Sequence, residues 1–440
     1  MPTLSGQQVS KENQLGALIF STLAFTVCFA AWTIFSIIGV KIKENLGLND
    51  TQFGLLIGTP ILTGSLVRIF LGIWTDQYGG RLVYTAVMLA AALATWLLTF
   101  AQTYPQFLIA ALGVGIAGGS FAVGIAYVSK FYSKEKQGTA LGIFGAGNVG
   151  AAVTKFLAPF IMVAMGWQAV AQIWAGALVV MAILFWVFTK DDPDLIERRE
   201  KKTKGRGAFL QMEPLKNIQV WRFSLYYFFV FGAFVALALW LPRYLVGVYE
   251  LDIKQAGMIG AAYSIPASLF RVLGGWMSDK YGARRVMYWT FFASVVCLFF
   301  LSYPATDYVV HGIKTDITFS LATGLPAFIV FIFVLGFFMS LGKAAVYKHI
   351  PMYYPGHVGS VGGLVGMIGG LGGFVLPIMF GALNDYTHIW TSCFMLMFVL
   401  VAVNLIWMHF AIRRMEKKKH PGLRDPAYLP ELGELQTTRK

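Results

Sequence analysis

The stretch LVRIFLGIWTDQYGGR, residues 66–81, sets an arginine inside an apolar run and an aspartate eight residues later, followed by Tyr-Gly-Gly-Arg after one intervening glutamine. Residues 269–285, LFRVLGGWMSDKYGARR, repeat the pattern. A shift of 203 positions carries Leu66, Arg68 and Asp76 onto Leu269, Arg271 and Asp279, and Tyr78, Gly79 and Arg81 onto Tyr281, Gly282 and Arg284. The same shift carries Gln52 and Gly54 onto Gln255 and Gly257. A repeat of this kind predicts two parallel halves related by a pseudo-two-fold axis, with a site between them near mid-depth.

The rest of the chain says what those halves are immersed in. Of 440 residues, 57% are hydrophobic and only 13% are charged, about half the charge of a soluble domain. Apolar runs long enough to cross about 30 Å of hydrocarbon recur throughout. They fall near 17–40, 52–74, 82–102, 105–128, 138–165 and 168–188, then 219–246, 255–277, 286–303, 325–347, 358–382 and 389–411. The expected fold is all-α and polytopic, with twelve transmembrane helices in two six-helix bundles. The bundles cover 1–188 and 219–411, joined by a link (189–218) and followed by a tail (412–440). The loop 304–324 reads as irregular with apolar pieces.

The net charge of +14 does not point to nucleic acid, because the basic residues are distributed as a membrane topology would place them. One set of loops and the two termini collect 25 Lys or Arg, the opposite loops five: Lys41, Lys43, Arg243, Lys254 and Lys314. That bias puts both termini in the cytoplasm. Cys28, Cys297 and Cys393 lie far apart in apolar runs and read as small core residues. No metal-ligand cluster, paired acids or nucleophile with a base stands at the span ends, so neither an enzyme nor a cofactor is expected.

The loops GIWTDQYGGR (72–81) and GWMSDKYGARR (275–285) resemble the G-x-x-x-D-x-x-G-x-R signature of the major facilitator superfamily. The resemblance implies alternating-access transport. It also implies that Asp76, Arg81, Asp279 and Arg284 staple the cytoplasmic helix ends as gate structure.

Arg68 precedes Asp76 by about 12 Å of helix axis, which places it two turns inside the membrane, with Arg271 at equal depth in the other half. An arginine at mid-span costs about 2.5–3.5 kcal/mol even on the lenient insertion scale, so it faces a polar cavity or a partner. Every Asp and Glu falls in a loop, a tail or a helix end. The expected partner is therefore the ligand, and the ligand is an anion. The planar fork of guanidinium suits a small oxyanion that accepts paired hydrogen bonds.

Two glycine-rich runs add to this: GTALGIFGAGNVGAAVTKFLAP (138–159) in span five and GSVGGLVGMIGGLGGFVLP (359–377) in span eleven. Gly138, Gly142 and Gly145 match Gly359, Gly363 and Gly366. Glycine at every third or fourth residue lines one helical face and admits close backbones. With Asn148 as a polar amide inside the membrane, these runs resemble the signature of the nitrate/nitrite porter family, whose G-x-G-N-x-G core stands here as Gly145, Gly147, Asn148 and Gly150. Gly366, Gly369 and Gly372 form the related face in span eleven.

The resemblance implies that Arg68 and Arg271 are the substrate arginines. It assigns Tyr227, Phe231 and Gly232 to the family's Tyr-x-x-x-Phe-Gly pattern, and makes Phe35 and Phe121 further aromatic walls. Lys155 and Lys343 depart from the exchanger pattern, and GKAAVYKHIP and NVGAAVTKF look closer to the proton-linked branch. Burial and neighbouring positive charge disfavour the ammonium form, which makes both lysines candidates for coupling to protons. The expected function is nitrate transport, with nitrite as a further substrate and protons as co-substrate. Nitrate/nitrite antiport, carriage of another small anion, or a membrane anion sensor are the alternatives. The expected surroundings are the lipid of a bacterial inner membrane.

Overall fold

In the computed structural model, residues 11–132, 134–191, 193, 195–196, 217–353 and 358–419 are described. Most of the expected link, the end of the tail from 420 onward and the side chain of Asp76 lie outside the described residues. Twelve helices are long and apolar enough to cross a membrane. Spans one to six are Lys11–Leu46, Asp50–Gly72, Gly80–Phe100, Tyr104–Ser129, Ala140–Met165 and Trp167–Phe188. Spans seven to twelve are Ile218–Tyr249, Ile253–Tyr281, Ala283–Leu301, Leu325–Ile350, Val361–Thr387 and Ser392–Arg414. A spanning chain has no water to satisfy its peptide groups and must close every hydrogen bond along its own helices.

The 203-residue repeat extends to the helix caps. The Asn49 side chain accepts from the Gln52 backbone N–H at 2.7 Å, and the Gln52 side chain accepts from the Asn49 N–H at 3.0 Å. At the equivalent place, Asp252 accepts from the backbone of Lys254 and Gln255 at 2.8 and 3.0 Å. Such caps satisfy N–H groups that a helix start leaves without a partner.

The halves meet along two pseudo-equivalent seams, span two against span eleven and span eight against span five. Glycine is required at both. A Cβ at Gly54 would lie 2.2 Å from the Pro377 carbonyl oxygen, and one at Gly257 would lie 2.3 Å from that of Lys155. Pro159 and Pro377, which close the two glycine-rich runs, both sit in these seams. The apolar runs are not all regular helix. Span four passes through a 3-10 turn at Gly115–Gly119 and span five through another at Ala146–Val149. Span seven carries a π-helical turn at Phe228–Ala233, and span eight breaks at Phe270, one residue before Arg271. Irregular turns of this kind inside helices mark functional positions more often than chance.

At the end of the molecule away from the link, side chains tie one half to the other. Both oxygens of Asp385, at the end of span eleven, accept from the start of span two: Asp50 N–H at 3.0 Å, Thr51 N–H at 2.8 Å and Thr51 Oγ1 at 2.5 Å. Arg243 of span seven reaches Asp50 Oδ1 at 3.3 Å. Phe53 and Trp240, buried beneath this closure, hold their ring centroids 5.6 Å apart across the seam. Three hydrogen bonds to one carboxylate, at about 1 kcal/mol or more each, predict that Asp385→Ala opens this end at least tenfold more often. The readout is labelling of a Phe53→Cys variant by an impermeant maleimide. Unchanged labelling would remove Asp385 from the closure.

The contacts described for the expected gate residues near the link run within a half. Arg81 donates from Nε to the Trp186 carbonyl at 3.2 Å and lies 4.2 Å over the Trp186 ring. Asp279 pairs with Lys348 at 2.9 Å, and Arg284 donates to the Tyr353 hydroxyl at 3.2 Å. These charges fasten span three to the end of span six, and spans eight and nine to span ten.

The segment after span nine is a β-hairpin where the sequence reads as a loop. β1 (Thr306–His311) and β2 (Asp316–Leu321) pair antiparallel, with Tyr308 opposite Phe319 and Val310 opposite Ile317. The Tyr308 and Phe319 rings stack at 5.3 Å on one face. On the other, His311 meets Asp316 at 2.9 Å and Ser320 donates to Asp307 at 2.5 Å.

Candidate functional site

Arg68 and Arg271 are 6% and 9% exposed, each held by the helix it faces across a seam. Arg68 Nη1 donates to the Gly366 carbonyl of span eleven at 3.1 Å. Arg271 packs against Gly145 of span five, where a Cβ would lie 3.3 Å from Nη1. Gly145 and Gly366 are the equivalent glycines of the two runs, so each arginine lies against the same position, Arg68 with a hydrogen bond to the carbonyl and Arg271 by packing alone.

Aromatic faces surround the guanidinium groups. The Arg68 Cζ lies 5.3 Å from the Phe121 ring centroid, 5.6 Å from Phe231 and 5.7 Å from Trp32. The Arg271 Cζ lies 5.7 Å from Phe121 and 5.7 Å from Tyr347. Both cations therefore face the same ring, Phe121. Tyr227 stacks on Phe231 at 5.1 Å and meets Tyr347 edge-on at 5.0 Å. The π-helical turn begins just after Tyr227 and includes Phe231.

Among the described residues no carboxylate lies within 4.0 Å of Arg68, Arg271, Lys155 or Lys343. Arg68 Nε, Arg271 Nη1 and both amide atoms of Asn148 are buried with no hydrogen-bond partner among those residues. Buried polar atoms are ordinarily paired. Donors left over on two guanidinium groups, with no fixed counter-charge, fit a small anion with oxygens on more than one side.

The two lysines differ. Lys343 Nζ donates to the Ala267 carbonyl at 2.8 Å, four residues before Arg271, and lies 3.2 Å over the Phe234 ring and 5.9 Å from that of Phe231. Lys155 Nζ donates back to Ala151 of its own helix at 3.1 Å, and its stem packs on Gly260 of span eight. Lys343 thus shares Phe231 with Arg68, whereas Lys155 belongs to the seam.

The remaining positions fall as follows. Gly147 and Gly150 seat span five on Phe25 and Thr26 of span one, and Gly369 and Gly372 seat span eleven on Tyr227 and Gly232 of span seven. Phe35 is fully buried but makes no ring contact with either arginine among the described residues. Trp32, just before the turn at Thr33 and Ile34, takes that place and donates from Nε1 to the Pro60 carbonyl at 2.8 Å. Sequence reasoning missed Trp32 and also Tyr347, whose hydroxyl donates to the Gly362 carbonyl at 3.2 Å.

Twelve spans, repeated halves and a charged site where the halves meet define a secondary transporter fold. The Major Facilitator Superfamily model matches residues 20–312 and 249–437. A bacterial homologue of the human lysosomal transporter Spinster superposes with a TM-score of 0.71 at 16% identity, over 92% of this chain and 98% of that one. A probable nitrate/nitrite antiporter, NarK1, of Thermus thermophilus is 42% identical over 95% of this chain and 96% of its own length. The nitrite extrusion protein of Bacillus subtilis is 30% identical over 90% and 95%. A probable nitrate transporter, NarT, of Staphylococcus haemolyticus is 30% identical over 92% and 97%. The chain belongs to the major facilitator superfamily and, within it, to the nitrate/nitrite porter family.

Proposed function

We propose that the protein carries nitrate, and nitrite as a second cargo, across a bacterial plasma membrane by alternating access, in symport with protons. The halves 1–188 and 219–411 rock about the site, with the termini, the link 189–218 and the tail 412–440 in the cytoplasm. The observation that carries this reading is the pair of buried arginines facing one phenylalanine without a carboxylate in reach among the described residues. Nitrate is planar, singly charged and small enough to be shared by two guanidinium forks.

Driving force favours a second ion. Moving one negative charge inward against 100 mV costs about 2.3 kcal/mol, which more than one proton per nitrate overcomes. Exchange of nitrate for outgoing nitrite is the second reading, supported by the description of the Thermus relative. Uptake of labelled nitrate into proteoliposomes, driven in turn by a pH gradient and by internal nitrite, separates the two. Competition by chlorate, formate and phosphate measures selectivity. Uptake unmoved by nitrate competition would end the nitrate reading.

Phe121 supplies a further test. Each cation–π contact is worth roughly 0.5–2 kcal/mol, and this ring makes two. Phe121→Leu keeps bulk without the π face, so the KM for nitrate is expected to rise about tenfold, with Phe121→Tyr near wild type. Equal behaviour of the two variants would reduce the ring to packing.

A further inference from the structure

Spans two and eight each carry a serine three residues before the site arginine, Ser65 before Arg68 and Ser268 before Arg271, and the 203-residue shift maps one onto the other. Both side chains are fully buried, but they differ in what they bond. A hydroxyl inside a helix commonly donates to the carbonyl four residues back. Ser268 does so, to Ser264 at 2.7 Å, as do Thr59 and Thr75 of the helix of span two, to Leu55 and Leu71 at 2.6 and 2.7 Å. Ser65 Oγ, between those threonines on the same helix, has no hydrogen-bond partner among the described residues. Across the seam stands Gly370 of span eleven, where a Cβ would lie 2.5 Å from Ser65 Oγ and 3.5 Å from Arg68 Nη1. The hydroxyl and the guanidinium therefore border the same space, which a glycine at 370 leaves open.

The other seam takes its polar group from the opposite helix. The second glycine-rich run carries one more residue than the first between Gly366 and Gly369, after which GNVG (147–150) lines up with GGLG (369–372). Asn148 then corresponds to Gly370, and Lys155 to Pro377, the residues that Gly257 and Gly54 abut. The 3-10 turn that carries Asn148 packs on the first helix of span eight, Ile253–Leu269. One seam thus has an amide on the glycine-rich run and a tied serine, the other a glycine on that run and an unbonded serine. Ser65 and Arg68 are about 4.5 Å apart along the helix axis, so they can donate to one small anion from neighbouring points. We propose that the Ser65 hydroxyl is a specificity-determining donor, which bonds the oxygen that the two guanidinium groups leave over and so favours nitrate over nitrite. The inference rests on the cargo class proposed above. A two-oxygen anion engages both arginines but leaves a buried donor without an acceptor, which is how a site built for one more polar atom rejects the analogue that lacks it.

The test sorts anions by the number of oxygens they carry, with the full-length protein in proteoliposomes. Ser65→Ala is expected to raise the half-maximal concentration of nitrate about fivefold, the size of one hydrogen bond, and to weaken competition by chlorate to a similar degree. Nitrite and formate should shift by less than about twofold, so the preference for nitrate over nitrite falls. Ser268→Ala, which removes a hydroxyl already bonded within its own helix, should leave both classes of anion unchanged. A purely structural role for Ser65 would move all four anions together, and that result, or no shift in any of them, overturns the proposal. A second readout needs no transport: stabilisation of the detergent-solubilised protein against heat, titrated with each anion. If the wild type is stabilised only by another oxyanion such as phosphate, the nitrate reading falls. Weaker binding of that oxyanion in Ser65→Ala would then keep the hydroxyl as a donor in the site, and unchanged binding would remove it. Nitrate binding by the wild type with an unshifted nitrate-to-nitrite ratio in Ser65→Ala would spare the nitrate reading and end the role of Ser65.

Discussion

Arg68→Lys is expected to raise the nitrate concentration needed for half-maximal transport by about 30-fold or more, in a protein that still inserts and purifies as a single species. The substitution keeps one positive charge and loses the fork. Arg68 donates from Nη1 to the Gly366 carbonyl and lies within 5.7 Å of the Phe121, Phe231 and Trp32 ring centroids. Its planar group is held edge and face, with Nε left to donate. A lysine ammonium is a compact, strongly hydrated point charge on a flexible stem. It cannot hold the carbonyl and a planar anion with parallel bonds at once. Losing one partner of a buried, hydrogen-bonded charge pair costs about 2–5 kcal/mol, and 1.4 kcal/mol is tenfold in affinity. Arg271→Lys should also weaken nitrate binding, since that guanidinium packs on Gly145 and Phe121 with Nη1 left to donate. The measurement is nitrate counterflow in proteoliposomes, alongside thermal stability in detergent. Wild-type affinity in either variant would dismantle the two-fork clamp.

What could be read from the sequence was whatever breaks an expectation loudly. A charged residue in an apolar run stands out, and it recurs 203 positions later, so the burial of Arg68 and Arg271 at matching places was legible without coordinates. The seams were half legible. Gly54 and Gly257 belong to the same repeat, but that they abut the two glycine-rich runs at Pro377 and Lys155 is a matter of packing between distant segments. Trp32 and Tyr347 were hidden because a chain that is 15% aromatic offers no signal for which ring meets a cation. Phe35, buried without a ring contact to either arginine among the described residues, illustrates this. The assignment lies one turn beyond Trp32, and the irregular turn at Thr33 and Ile34 separates the two. Asp385 and Asp50 read as ordinary acids at helix ends, because only the folded chain brings span eleven onto the start of span two. The hairpin's alternation in DYVVH and DITFSL was short, and the surrounding apolar pieces blurred it.

The same packing separates the two lysines proposed as sites of coupling to protons. Lys343 is fully buried, bonded to Ala267 on the span that carries Arg271, and laid on Phe234 beside the ring that also faces Arg68. Its ammonium therefore stands against the span that carries Arg271 and beside a ring that Arg68 also faces. In the symport proposed above, Lys343 is the group that would carry the proton accompanying the anion. Lys343→Arg separates charge from titration, since guanidinium stays protonated at any physiological pH. This variant is expected to keep nitrate-for-nitrate exchange within about threefold of wild type and to lose accumulation driven by a pH gradient altogether. Lys343→Gln removes the charge as well and should weaken nitrate binding in addition. Lys155→Arg, altered in the seam and not beside the arginines, should retain pH-driven accumulation. The decisive comparison is nitrate accumulation at an imposed gradient of one pH unit with the voltage clamped by potassium and valinomycin. Should Lys343→Arg accumulate nitrate as the wild type does, the proton is carried elsewhere, and exchange with nitrite becomes the better account of how this positively charged site turns over.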